Sequence, residues 1–283
     1  MLGRIACQSF RRRYSSGSEA FLWAGLASAC ALAACSDYKP ASDIASTGGS
    51  LQGIAANWGC LKTAPNQART PGTPGQLIVY SLRLVDLATD QPYADVPVQA
   101  CGLTDIACDS PVATTTTDAD GWLNVRLTEN FSGYLEIDSR PRAVPYLFHL
   151  PEAGLKTMAD YPLAMITLES FGALLVALDL PTDPNLAAIG VRAFDCQGMP
   201  AAGVKLTSSV GGLPWYFEQG LPNTERVETN VSGLGGFIGT PAGLSQLDAK
   251  LPDGRVIASR SIIVRGQWMS AGYLRPTGAD PSP

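Results

Sequence analysis

The chain carries one histidine, His149, in 283 residues. That scarcity excludes a histidine-rich metal site and argues against a catalytic triad built on imidazole. Charge is scarce as well: Asp, Glu, Lys and Arg make up 16 % of the sequence, with 20 basic against 25 acidic residues. A net charge of −5 lacks the basic face that nucleic acid requires, so no nucleic-acid partner is expected. No Cys-x-x-Cys pair occurs, which removes the usual structural zinc knuckle. What is present is 29 Gly, 21 Pro and 46 % apolar residues. That is enough to fill a core and poor in helix formers, so short strands joined by turns are expected.

The N-terminus reads as an address. Arg4, Arg11, Arg12 and Arg13 precede an uncharged run from Ala20 to Ala34. The run is shorter than the roughly 20 residues of a membrane-spanning helix, so a secretory signal is expected rather than a retained span. It closes on Leu32-Ala33-Ala34-Cys35-Ser36, which resembles a bacterial lipobox. The resemblance implies cleavage after residue 34, acylation of Cys35 (palmitate-type chains included) and, in a two-membrane host, sorting to the outer membrane. Cleavage leaves 16 basic and 24 acidic residues, a net of −8. Attachment to the lipid membrane is therefore expected from the acyl chains and not from charge.

Four cysteines remain beyond Cys35, an even number suited to an oxidising compartment, with three pairings open. Cys101 and Cys108 lie in CGLTDIAC, close enough to staple one loop. That pairing leaves Cys60 for Cys196.

Composition divides the chain further. Residues 35–75 are mostly Ala, Ser, Thr, Gly, Pro and Asn, a largely flexible tether in which Trp58-Gly59-Cys60 is expected to dock. Apolar alternation and β-branched residues mark strands at 77–87, 96–100, 114–117, 122–127, 133–137 and 146–150. Thr167–Leu178 is dense in Leu and Ala and predicts a short buried helix. Further strands are expected near 189–195, 204–206, 245–250, 255–264 and 267–274. The order of parts recurs: Asp86, Pro92 to Val98 and Thr117-Asp118-Ala119-Asp120-Gly121 in one half, Asp195, Pro200 to Val204 and Thr229-Asn230-Val231-Ser232-Gly233 in the other. The expected layout is a signal peptide (1–34), a tether (35–75), a first domain (76–165), an inter-domain segment (166–187), a second domain (188–276) and a disordered tail (277–283).

These recurring elements resemble the carboxypeptidase-regulatory-like, or transthyretin-like, β-sandwich repeat. The second copy departs by placing Asn230 at the first turn aspartate and by inserting a longer loop. Over about 56–276 the chain also resembles surface lipoproteins of myxobacterial type. The resemblance implies an all-β protein of two small transthyretin-like or Ig-like sandwiches in tandem, joined by a short helix. It carries no activity with it.

Motifs for chemistry are sparse. His149 in YLFHL reads as a sheet-face residue. Asp118, Asp120 and Asn124 begin like a calcium loop, yet Trp122 stands where a ligand is needed and no closing glutamate follows, so a turn is expected and no metal. Gly211-Gly212 and Gly233-Leu234-Gly235-Gly236 lack phosphate-loop spacing, and Ser232 lacks the flanking glycines of a nucleophile elbow. Glu218, Glu225 and Glu228 show no arrangement as a glycosidase pair. No cofactor is expected, and a non-catalytic role is. The segment Gly211–Glu228 inserts Trp215, Tyr216 and Phe217 into a Gly/Pro-rich loop, a candidate binding surface for an envelope protein or polysaccharide. The function expected is a lipid-anchored envelope protein with a binding or structural role. The alternatives are a carbohydrate- or peptidoglycan-binding module and, more remotely, a hydrolase.

Overall fold

In Leu77–Asp86 every second residue from Tyr80 to Leu84 is apolar and turned inward, so this strand, β1, has one face for a core and one for its surroundings. It is the first strand in a computed structural model of the protein that describes residues 55–62, 76–129, 131–150, 162–181, 183–218 and 221–276. The signal segment, Cys35, most of the tether and the C-terminal tail lie outside the described residues.

The first half contributes six more strands, β2 (Pro97–Gly102), β3 (Ala113–Thr116), β4 (Trp122–Thr128), β5 (Gly133–Ile137), β6 (Tyr146–His149) and β7 (Leu163–Met165). β1 pairs antiparallel with β4 and parallel with β7, giving the sheet β4-β1-β7. The second sheet runs β3-β2-β5-β6, antiparallel throughout. Tyr80, Leu82, Leu123, Val125, Val98, Leu135 and Phe148 fill the space between them.

The second half repeats the plan. Its principal strands are β8 (Leu186–Ala193), β9 (Lys205–Ser208), β12 (Leu234–Pro241), β13 (Gly243–Lys250), β14 (Val256–Val264) and β15 (Met269–Leu274). β8 pairs antiparallel with β12 and parallel with β15, as β1 does with β4 and β7. The sheet β9-β13-β14 covers it, as β2-β5-β6 covers the first. The protein is thus all-β, two sandwiches of one plan in tandem. A hairpin, β10 (Leu213–Glu218) and β11 (Leu221–Asn223), adds two strands beyond β12.

The two sandwiches share a sheet. β15 also pairs parallel with β6, from Met269↔Tyr146 to Gly272↔His149. One nine-stranded sheet results, β11-β10-β12-β8-β15-β6-β5-β2-β3, running across the linker expected at 166–187. Both strands at the junction are buried on both faces, which is why each reads as a continuous apolar run. Arg265 reinforces the junction: it meets Glu136 at 2.6 Å, donates to the Ile106 carbonyl and lies 4.7 Å from the Trp268 ring.

The recurring sequence elements perform the same bonds twice. Thr117 and Thr229 are buried, and their hydroxyls donate to the carbonyls of Tyr93 and Ala201 while accepting from the N–H groups of Val96 and Val204. The turns that follow close on Gly121 and Gly233, both at positive φ, whose carbonyls accept from Leu84 and Ala193. A Cβ on either glycine would strike the backbone of that facing strand, so only glycine serves there.

Helix α1 (Leu168–Ala177) starts where Thr167 Oγ1 accepts from the Ser170 N–H at 3.0 Å. It buries no residue fully, contrary to the buried helix expected. Phe171, Leu174 and Leu175 pack partly against the shared sheet, while Leu168 and Val176 face outward.

Both disulfides form as paired in the sequence reading, Cys60–Cys196 with Cα atoms 5.8 Å apart and Cys101–Cys108 with Cα atoms 5.4 Å apart. Around the first, Ala56, Trp58 and Leu61 pack on the second core, the Asn57 N–H donates to Asp195 Oδ2 at 2.9 Å, and the Cys196 N–H donates to the Asn57 carbonyl.

Candidate functional site

The strand β10 places Trp215, Tyr216 and Phe217 on alternating sides of the shared sheet, which corrects the expected exposed loop. Tyr216 turns into the second core, where its hydroxyl accepts from the Leu206 N–H at 3.0 Å. Trp215 and Phe217 turn to the opposite face, with ring centroids 5.8 Å apart. Trp215 and Tyr216 are buried and Phe217 is half-buried, so the three do not form an exposed stacking platform.

What they help to enclose is a hollow. Across the sheet the register places Trp215, Gly236, Gly190, Ala271 and Phe148 side by side on five neighbouring strands. Two glycines and an alanine therefore stand between two large aromatics, leaving a trough. Gly236 is fixed by close approach of the Ile189 backbone, whereas a Cβ on Gly190 would meet only Met269 Sδ at 3.4 Å and Trp215 Cζ2 at 3.7 Å. The indole thus leans over Gly190. Phe171 and Leu174 of α1 roof the trough, and Tyr273 and Met269 flank it. The enclosed cavity is about 100 Å³.

The lining is almost wholly apolar. Burial raises the Tyr146 phenol far above its ordinary value and Tyr273 to about 12, so both stay neutral. The Tyr146 hydroxyl is occupied, donating to the Ala164 carbonyl and accepting from the Ile166 N–H. Arg192 supplies one charge at the lining and has interactions of its own. The Trp215 indole N–H, by contrast, is buried with no hydrogen-bond partner.

The other residues singled out in the sequence lie elsewhere. His149 is on the opposite face of the sheet, its Nε2 3.2 Å from the Ile263 carbonyl and its ring 5.8 Å from Tyr134. Burial first, and the charge of Arg260 second, lower its pKa to about 3, so the imidazole is neutral and its Nδ1 meets no partner. It is placed as a packing residue between sheets. Asp118 Oδ1 accepts from the N–H groups of Asp120 and Trp122, and Asn124 Oδ1 accepts from Ser81, so these oxygens shape a turn and a strand pair. Glu218 accepts from Arg226 and from Asn223, both at 2.7 Å, and fastens the β10–β11 hairpin. Among the described residues no three His, Cys, Asp or Glu side chains gather as a metal site. No described helix is long and apolar enough to cross a membrane.

No protein-family model matches this sequence, and no curated protein is detectably similar to it. Solved structures give only distant likenesses. The Bacillus anthracis TIE protein aligns over 71 % of this chain at 12 % identity and a TM-score of 0.25; the aligned part is 34 % of that protein. A streptococcal ancillary pilin aligns over 72 % of this chain and 69 % of its own, at 11 % identity and a TM-score of 0.23. The shaft pilin SpaA from Lactobacillus rhamnosus GG aligns over 73 % and 99 %, at 14 % identity and the same TM-score, 0.23.

The trough was beyond the sequence reading because it depends on register across five strands. One signal was present: Gly190 and Gly236 interrupt apolar strands, where a missing side chain marks either a close approach or a gap.

Proposed function

We propose that this protein is a non-catalytic module of the bacterial cell envelope, held on the membrane by lipid on Cys35 and serving a binding or structural role there. The observation that carries the reading is Leu32-Ala33-Ala34-Cys35-Ser36 at the end of an uncharged run that is too short to span a bilayer. Two disulfides among the cysteines that follow support export to an oxidising compartment. The candidate nucleophiles and carboxylates that were weighed are occupied in turns, hairpins and sheet packing, which favours a display role over turnover. An outer-membrane location and a transthyretin-like ancestry belong to this same proposal.

Mass spectrometry of protein extracted from membranes should find an N-terminal peptide starting at Cys35 and carrying acyl chains. Cys35→Ser should leave an unprocessed precursor or a soluble form. A mature wild-type protein that retains Met1 would overturn the reading.

A further inference from the structure

The cavity beneath α1 goes beyond a display role and stands independently of the lipid on Cys35. Its floor, Gly190, Gly236 and Ala271, is flat because those three neighbours have almost no side chain. Its walls are rings: Trp215 at one end, Phe148 at the other and Tyr273 at the side. Phe148 and Tyr273 already meet edge to face at 5.1 Å, the geometry aromatic rings prefer among themselves. The volume, about 100 Å³, is on the scale of one six-membered ring with a small substituent.

Apolar walls alone would accept any small hydrophobe. The buried indole N–H of Trp215 sets a further condition, because a donor withdrawn from water without a partner is unfavourable. A ligand that accepts from it removes that penalty. An ion is disfavoured, since an apolar cavity desolvates charge at high cost.

From these features we infer that the cavity is a binding site for a small uncharged aromatic compound with one hydrogen-bond acceptor oxygen, the ring lying over Gly190 and the oxygen accepting from Trp215 Nε1–H. Entry requires α1 to lift, and α1 is the least buried regular element over this face, with no fully buried residue.

Acetophenone and its near-isostere cumene, which replaces the carbonyl oxygen by a methyl group, are the probes. Titration of the intact protein is followed by calorimetry and by the indole Hε1 NMR signal that disappears in Trp215→Phe. Acetophenone should bind one per chain, shift that signal, and bind about tenfold more tightly than cumene, the effect of one hydrogen bond. In Trp215→Phe the two probes should bind within about twofold of each other. Gly190→Leu, which fills the floor, should abolish binding of both; its thermal unfolding is measured alongside. If that variant does not fold, the acetophenone-to-cumene ratio in wild type and Trp215→Phe decides alone. The inference is overturned by no saturable acetophenone binding, by equal affinity for the two probes in wild type, or by a preference that survives Trp215→Phe. Tighter binding of octanoate than of acetophenone would also overturn it, by assigning the cavity to an anion. The peptide mass at Cys35 reports on the lipid anchor separately, so either conclusion can fail alone.

Discussion

The two sandwiches use one set of bonds to different ends. In the first copy, Asp86 Oδ1 caps its own turn by accepting from the N–H groups of Ala88 and Thr89, and Oδ2 accepts from the Tyr93 hydroxyl seven residues on. In the second, Asp195 Oδ1 caps the matching turn through Gln197 and Met199, but Oδ2 accepts from Asn57, 138 residues away. Cys196, beside it, then takes Cys60. A self-contained turn in one copy is thus a docking point for an outside segment in the other. The same divergence marks the sheets. The second copy sends β15 sideways to pair with β6 as well as β8, while β7, its counterpart, ends the sheet β4-β1-β7.

The comparison is broken most strongly at the disulfides. Removing Cys60–Cys196 as a double alanine variant should lower stability by about 5 kcal/mol on the loop-entropy model, against about 2.5 kcal/mol for Cys101–Cys108. Their sequence separations, 136 and 7, set that ratio. Urea denaturation of the two variants checks it, and equal losses would show that the long bridge constrains the unfolded chain less than its span demands.

The buried threonines test whether the copies are equivalent where they match. Thr117→Val and Thr229→Val each strand a buried N–H and a carbonyl, for a loss of about 3 kcal/mol per variant. Equal losses within about 0.5 kcal/mol mean one motif used twice. A much smaller loss at Thr229 would mean that the disulfide beside the second copy has taken over its role.

Acid probes the junction between them. The folded protein holds His149 neutral down to about pH 3, whereas the unfolded chain protonates it near 6.5. Protons therefore favour the unfolded state between those values, and stability falls as pH drops through that window. From pH 6.5 to 5 the loss should reach about 2 kcal/mol relative to His149→Gln, read as the difference between the two pH–stability curves.

The smallest effect belongs to α1, which lies over the second copy's part of the shared face. Thr167→Ala removes its N-cap and should cost about 1 kcal/mol of helix stability. Hydrogen exchange at Phe171 and Leu174 should quicken while strands β1 and β8 stay protected.

Much of this plan was legible in the sequence because turn chemistry is demanding. Thr117-Asp118-Ala119-Asp120-Gly121 and its counterpart at 229–233 announce themselves, since only a hydroxyl fits the buried bond and only glycine fits the turn. The cysteine pairing followed from spacing and count, and the helix at 168–177 from its Leu and Ala content. The shared sheet did not follow. Parallel pairing between Tyr146–His149 and Met269–Leu274 joins segments more than 100 residues apart and leaves only an apolar run as its trace. The three-residue strand β7 was too short to register. The aromatic cluster was misplaced for a related reason: Trp215-Tyr216-Phe217 beside Gly and Pro reads as a loop, and only an open sheet edge beyond β12 makes it a strand.

Cys60–Cys196 has a mechanical consequence. Tension applied to the chain ahead of Cys60 reaches the sulfur–sulfur bond first and crosses directly to Cys196, just past the end of β8. The intervening chain, which contains the entire first sandwich, lies off that load line. While the bond is oxidised, the second sandwich bears a pull between the N-terminal segment and the C-terminal strand, and the first rides as slack. Reduction places both in series.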